Sequence, residues 1–349
     1  MKRAVLDVAA IGGAIALSIV LVAIGLRVAG YDATGVLREW AVSAGGTQAD
    51  WAQVFNNACP LIFTGLAAGV AFRCGVFNIG AEGQFLLGSA ALAAFATRVW
   101  PLQGAESPAY VAMALGILCA GIAGAMWAGV AGVLERWRGV PVVLSTILLN
   151  FIALLLLGIL LEGPLRTGEH KDLVQSDTLT MAYWLPVGGL GTMHAGIFVA
   201  VALAVASWLV QARTAFGFEL LTTGLNPVAA RLAGVPVASR QLAVMLISGA
   251  LAGIGGGIQL MGVEGHVLTP TSQAYGYMGI AVALLGRLHP AGIVLAAVFF
   301  GLLDRGATGV ELTYQLPPEI ANIVKAACVL MVLVASAYIG RRQLAVRQR

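Results

Sequence analysis

Residues Phe72–Gln84 read FRCGVFNIGAEGQ. The stretch sets an arginine, an asparagine, a glutamate and a glutamine among glycines, between two apolar runs each long enough to cross a bilayer. Polar side chains at such a point are costly in hydrocarbon, and they usually face a cavity, a partner or a solute path. Gly69, Gly75, Gly80 and Gly83 add backbone freedom with little bulk. That suits a broken helix which lets another backbone or a ligand come close. Two readings stand open here: a segment of a transport path, or a tight helical corner.

The rest of the chain fixes the medium. Of its 349 residues 59% are hydrophobic and 10% charged, with a mean hydropathy of +0.90. A soluble domain carries about 25% charged residues. Recurrent apolar runs of about 20 residues predict an all-α, polytopic membrane protein. The short alternating segments of a membrane barrel are absent from the sequence. Ten spans are expected, near 4–29, 52–72, 77–97, 110–134, 141–161, 192–210, 241–262, 276–288, 290–304 and 320–339. The eighth and ninth are short and read as half-spans or as one hairpin around Arg287–Pro290. Val8–Leu26 follows Lys2 and Arg3, but it exceeds the roughly 7–15 residues of a signal-peptide core, so it reads as an uncleaved first span.

The net charge of +4 comes from 20 basic against 16 acidic residues and carries no nucleic-acid signature. With the N-terminus inside, thirteen basic residues, from Lys2 and Arg3 through Arg136, Arg213 and Arg240 to Arg349, fall on inner segments. That bias predicts a multi-pass inner-membrane protein with both termini cytoplasmic. One transmembrane domain over 1–349 is expected, with an inner loop at 211–240 and an outer loop at 162–191. Cys59, Cys74, Cys119 and Cys328 are scattered and read as small core residues. The four histidines form no HExxH and no close pair, so no metal is expected. No lysine lies in a GxxxxGK[ST] motif, so the chain has no visible means of hydrolysing ATP.

Inside the 211–240 loop, Asn226 has the chemistry of an N-cap, Pro227 suits the first helical position, and Gly234 suits the stop. The helix so predicted, Pro227–Ala233, is two turns long and would not hold alone in water, so it is expected to dock on something. Ile79–Gln84 (IGAEGQ) is echoed by Met261–His266 (MGVEGH) five spans later. An odd number of spans inverts orientation, and an inverted repeat would put a path at the repeat interface.

Three segments, FRCGVFNIGAEGQ, GFELLTTGLNPVAARLAGV (Gly217–Val235) and GIAVALLGRLHPAGIVLAAVFFG (Gly279–Gly301), resemble the permease subunits of bacterial ABC importers. The likeness is to the branched-chain amino acid/ribose-like permease family, in its nucleoside and simple-sugar subgroup. It runs from about residue 52 onward, with the three segments in family order. It implies a permease that works with an ATPase subunit, which binds the ATP, a second permease in a heterodimer, and an extracytoplasmic substrate-binding protein. The solute implied is a nucleoside or a simple sugar. Carried over by position, Asn226, Pro227, Ala229, Ala230 and Gly234 match the coupling-helix motif, with Arg231 beside them as a candidate ATPase contact. Phe77, Asn78, Gly80, Glu82, Gly83 and Gln84 match the signature near the translocation path, and Gly286, Arg287, His289 and Pro290 match a later cytoplasmic turn. The chain departs from the pattern at Thr222-Thr223, where relatives often carry Arg-Ala, and at Pro141-Val142, where they carry Asn-Glu.

Each candidate has a plainer reading. Glu82 and Glu264 are either gate residues or helix-end acids bonded to amides or to an arginine such as Arg73. Asn78 and Asn150 either line a path or bond between helices. Phe77 and Phe85 either stack on a nucleobase or pack in the core. Among whole-protein readings, an ion-coupled secondary transporter needs charged groups in mid-membrane, whereas the acids here lie near span ends.

Overall fold

The computed structural model describes residues 22–28, 30–102, 109–168, 174–189, 191–268 and 274–315, together with residues 13, 19, 20, 323, 326 and 330. Most of the first and of the last predicted spans lies outside the described residues. Among those described, the architecture is all-helical, with three isolated β-bridges and no strand. Among the described residues, six helices are long and apolar enough to cross a membrane. By contacts the chain forms two compact units.

The larger unit comprises 58–189 and 193–297. It takes most of α2 (Gln48–Arg73), then α3 (Ala81–Ala94), α4 (Ala109–Arg138), α5 (Val142–Glu162), α6 (Gly196–Arg213), α7 (Ala215–Leu225), α8 (Pro227–Leu232), α9 (Val237–Gln259), α10 (Tyr275–Leu285) and the start of α11 (Pro290–Tyr314). Its centre is a glycine-mediated meeting of α3, α4 and α9. A Cβ on Gly253 would collide with the Ala120 carbonyl, and Gly88 in turn lies against Gly253 itself. Lipid gives no hydrophobic drive between helices, so such backbone approach supplies the dispersion contact that holds them.

Both α3 and α9 end in a π-helical turn, Phe95–Val99 and Leu260–Glu264. The described parts of the predicted outer loop 162–191 fold down over these turns. Leu185 N–H donates to the Met261 carbonyl at 3.0 Å, Leu179 N–H to Gly265 at 2.7 Å, and Ser176 N–H to Val267 at 2.9 Å. Arg98 joins Asp177 at 2.9 Å and donates to the carbonyls of Pro164 and Arg166. The Tyr183 hydroxyl donates to the Trp100 carbonyl at 2.7 Å, and burial pushes its phenol pKa up.

Two span predictions change. The third helix starts at Ala81 rather than 77, because residues 76–80 run without helix into it. The ninth span is not short: α11 covers 25 residues, while α10, with 11, is shorter than a span. A tight turn joins them, closed by bonds from Leu288 N–H to Ala283 and from Arg287 N–H to Leu284. The two copies of the sequence echo differ locally. Ala81–Gln84 opens a helix, whereas Met261–Glu264 lies in a π-turn that closes one.

The smaller unit comprises the described parts of 1–57, 190–192 and 298–349. It holds α1 (Ala33–Gly45), the first turns of α2 and the later turns of α11. Thr47 and Asp50 form a reciprocal cap on α2: Thr47 N–H donates to Asp50 Oδ2 at 3.0 Å, and Asp50 N–H to Thr47 Oγ1 at 3.2 Å. The other carboxylate oxygen of Asp50 accepts two bonds from Arg305, at 2.7 and 3.1 Å.

Candidate functional site

α2 stops where its sequence lets it. Gly75 takes φ +78, Val76 N–H returns to the Ala71 carbonyl, and Gly75 N–H returns to Phe72. That is a Schellman end with glycine at the left-handed position. The chain then crosses to α3, and the crossing is held by side-chain amides. Asn78 Oδ1 accepts from Gly80 N–H at 2.8 Å and from Gln84 Nε2 at 3.1 Å. Its Nδ2 donates to Gln84 Oε1 at 3.0 Å and to Ser248 Oγ at 2.9 Å. Ser248 passes its own proton to the Ala67 carbonyl at 2.7 Å. Asn78 is wholly buried, and its amide uses both donors and both acceptor sites.

A second amide holds the same crossing. Asn150 on α5 accepts from Gly83 N–H at 2.9 Å and donates to the Ile79 carbonyl at 2.9 Å and the Tyr277 hydroxyl at 3.1 Å. Thr146, one turn earlier, accepts from Ile79 N–H at 3.3 Å. Glu82 Oε2 accepts from Gly276 N–H at 2.8 Å, which ties it to the first turn of α10. Of the expected path residues, Asn78, Gly80, Glu82, Gln84 and Asn150 therefore form one buried cluster. Phe77 stands apart, 55% exposed, with its ring 5.1 Å from Phe72. Phe85 is buried against Tyr275, as core packing.

The predicted coupling helix forms as α8, one residue shorter than expected. Asn226 Oδ1 accepts from Val228 N–H at 3.1 Å and Ala229 N–H at 3.0 Å, and Pro227 occupies the first turn. Gly234, at φ +87, ends it with a second Schellman pair, Val235 N–H to Ala230 and Gly234 N–H to Arg231. Ala230 is buried within its own subunit, while Leu225, Val228 and Leu232 are 77, 65 and 85% exposed and Arg231 is exposed. Val228 and Leu232 on α8, with Leu225 at the end of α7, present apolar surface outward.

Sequence reasoning missed α7, whose start is capped by Thr214 accepting from Gly217 N–H at 3.1 Å. Its signal was the Thr-x-x-Gly spacing before an apolar run. This helix joins the two sites. A Cβ on Gly224, near its end, would collide with the Arg73 carbonyl, and Gly75 meets the same glycine from the other side. Arg73 also donates to Gln211 Oε1 at 2.9 Å. The Glu219–Arg240 ion pair, with Arg240 over the Phe216 ring at 5.3 Å, pins α7 to the start of α9. Sequence reasoning also missed Ser248 and Tyr277, visible in advance only as hydroxyls within apolar spans.

The helical spans, the capped two-turn helix and the contact of α7 with the α2–α3 crossing through Gly224 are the features set beside known proteins. Residues 51–334 match the family described as the permease component of the branched-chain amino acid transport system, and the chain belongs to that family. It is a multi-pass membrane protein. Among similar proteins, the glucose ABC transporter permease protein TsgB13 of Haloferax volcanii is 35% identical, over 91% of this chain and 84% of that one. The guanosine ABC transporter permease protein NupP of Bacillus subtilis is 34% identical, over 82% and 81%. The nucleoside ABC transporter permease protein NupB of Lactococcus lactis is 30% identical, over 92% and 89%.

Proposed function

We propose that this chain is the permease subunit of an ATP-driven ABC importer that carries a nucleoside, or a simple sugar, into the cytoplasm. Family membership across residues 51–334 carries the reading, and the solute class follows relatives named for guanosine, nucleoside and glucose transport. ATP is bound and hydrolysed by a partner ATPase. A second, different permease completes the pore, and an extracytoplasmic binding protein delivers the solute. The reading includes ten spans related by an inverted repeat, both termini on the cytoplasmic side, and the bacterial inner membrane as location.

In this reading the ATPase grips the outward apolar face of α8, with Arg231 at its edge. The force passes along α7 to the Gly224–Gly75 contact and from there to the α2–α3 crossing. The Asn78–Gln84 pair keeps the crossing rigid, so a push at Gly75 moves the whole segment instead of deforming it. Phe77, Asn150 with Tyr277, and Glu82 at the start of α10 form the part of the wall that meets the solute. Amides, hydroxyls and aromatic faces suit a neutral solute, because recognition then needs no buried charge.

Proteoliposomes holding this chain with its ATPase and second permease, supplied with the binding protein, test the reading. Guanosine or glucose uptake is expected to require internal ATP and to survive collapse of proton and sodium gradients. Uptake that persists without ATPase but vanishes with a gradient would instead establish the ion-coupled alternative.

A further inference from the structure

A groove of about 560 Å³ runs between the second half of α6 and the start of α11, and nothing in the transport reading uses it. Val201, Val205 and Trp208 line one side at helical spacing, Ala291 and Leu295 line the other, and His289 sits at one end. Val201, Val205 and Leu295 are 40, 50 and 73% exposed, so the groove opens on the outer surface of two spanning helices, where the bilayer lies. Its size falls within the range of ligand pockets, about 300–1,000 Å³.

The end marked by His289 is basic. α6 finishes at Arg213, and the turn that leads into α11 carries Arg287 and His289. Arg213 and Arg287 are exposed and form no ion pair among the described residues. The nearest acid along the chain after α6, Glu219, is taken by Arg240. Trp208 lies one turn short of Arg213, where an interfacial indole sits at headgroup level. The turn itself is strained: Arg287 and Leu288 hold φ of 53° and 56°, and Arg287 fills the Schellman position that glycine occupies at Gly75 and Gly234. Left-handed backbone at a non-glycine residue is unfavourable, and it persists where the residue serves a purpose that glycine cannot.

We propose that this groove binds one anionic phospholipid, with an acyl chain along the apolar walls and its phosphate between Arg213, Arg287 and His289. Basic pockets between membrane helices hold anionic headgroups in this way. The inference rests on the helices spanning a bilayer and is independent of the solute or of ATP coupling.

Native mass spectrometry of the full chain released from nanodiscs that mix phosphatidylglycerol with phosphatidylcholine tests it. One phosphatidylglycerol is expected to stay bound per chain, and short-chain glycerol phosphate or inorganic phosphate is expected not to displace it. Val205→Trp fills the groove and should abolish retention, while Ile159→Trp, at an exposed site on α5, should leave it unchanged. Arg287→Gly relieves the strained turn and so keeps the fold, yet it should lower the preference for phosphatidylglycerol by about fivefold. Retention unaffected by Val205→Trp, or a preference unaffected by Arg287→Gly, would overturn the proposal. So would efficient crosslinking of a Val205→Cys variant to a second permease subunit in the membrane, which would make the groove a subunit interface.

Discussion

Replacing Asn78 with leucine tests whether the α2–α3 crossing is held by its amides. The Asn78 side chain makes four bonds of 2.8, 2.9, 3.0 and 3.1 Å in a fully buried site. Leucine keeps the approximate volume but strands the Gly80 N–H and both ends of the Gln84 amide. A stranded buried group costs about 1–3 kcal/mol in soluble proteins. Membrane hydrogen bonds measured by double-mutant cycles average about 0.6 and reach about 1.7 kcal/mol, because the unfolded state also finds partners. Three stranded groups on the membrane scale give about 2–5 kcal/mol for Asn78→Leu. Gln84→Leu removes one member of the reciprocal pair and leaves the Gly80 and Ser248 bonds in place. The double variant strands only Gly80 N–H, so its cost should fall short of the summed single costs by about 1–2 kcal/mol. Equilibrium unfolding in mixed micelles, followed by tryptophan fluorescence, measures all three. An Asn78→Leu cost below about 0.5 kcal/mol, the scale of an ordinary surface change, would refute the structural role of the pair. Additivity would show that the two amides are not coupled.

Three further outcomes are expected. Gly224→Val drives a side chain into the Arg73 carbonyl and should cost about 1–3 kcal/mol while uncoupling uptake from ATP hydrolysis, read from the ratio of solute moved to phosphate released. Asn226→Ala leaves two α8 amides without their cap and should cost about 1 kcal/mol, visible as faster protease cleavage near residue 230. Arg305→Gln leaves Asp50 mostly buried with its charge balanced only by the Thr47 hydrogen bonds, and a loss of about 2 kcal/mol is expected in the same unfolding assay.

Chain-wide patterns made the fold legible, and contacts distant in sequence did not. Apolar run length gave the spanning helices because a bilayer imposes a length on them. The cap chemistry of Asn226, Pro227 and Gly234 gave α8 to within one residue, because capping is local. The ninth span was read too short because Asp304 and Arg305 interrupt its apolar run. Arg305 is neutralised by Asp50, 255 residues away in the chain. The order of the 162–191 loop was not legible because it comes from bonds to residues in and beside two π-turns, and a π-turn leaves no clear signature in one sequence. Within the site, Asn78 and Gln84 stood out as amides in hydrocarbon. Their pairing with each other and with Ser248, 170 residues on from Asn78, could not be read from spacing. Ala230 read as a partner contact by its place in the motif, yet its side chain faces inward; the exposed residues of α8 are its neighbours.

The account turns on α8 as the point where the ATPase grips the permease. The direct measurement is guanosine or glucose uptake together with ATP hydrolysis in the reconstituted complex carrying Val228→Glu and Leu232→Glu. Both side chains are exposed, so the variant should fold as the parent does. Burying two carboxylates in the contact should lower uptake by at least about tenfold and abolish the rise in hydrolysis that loaded binding protein causes. Uptake and stimulated hydrolysis equal to those of the parent would contradict the account.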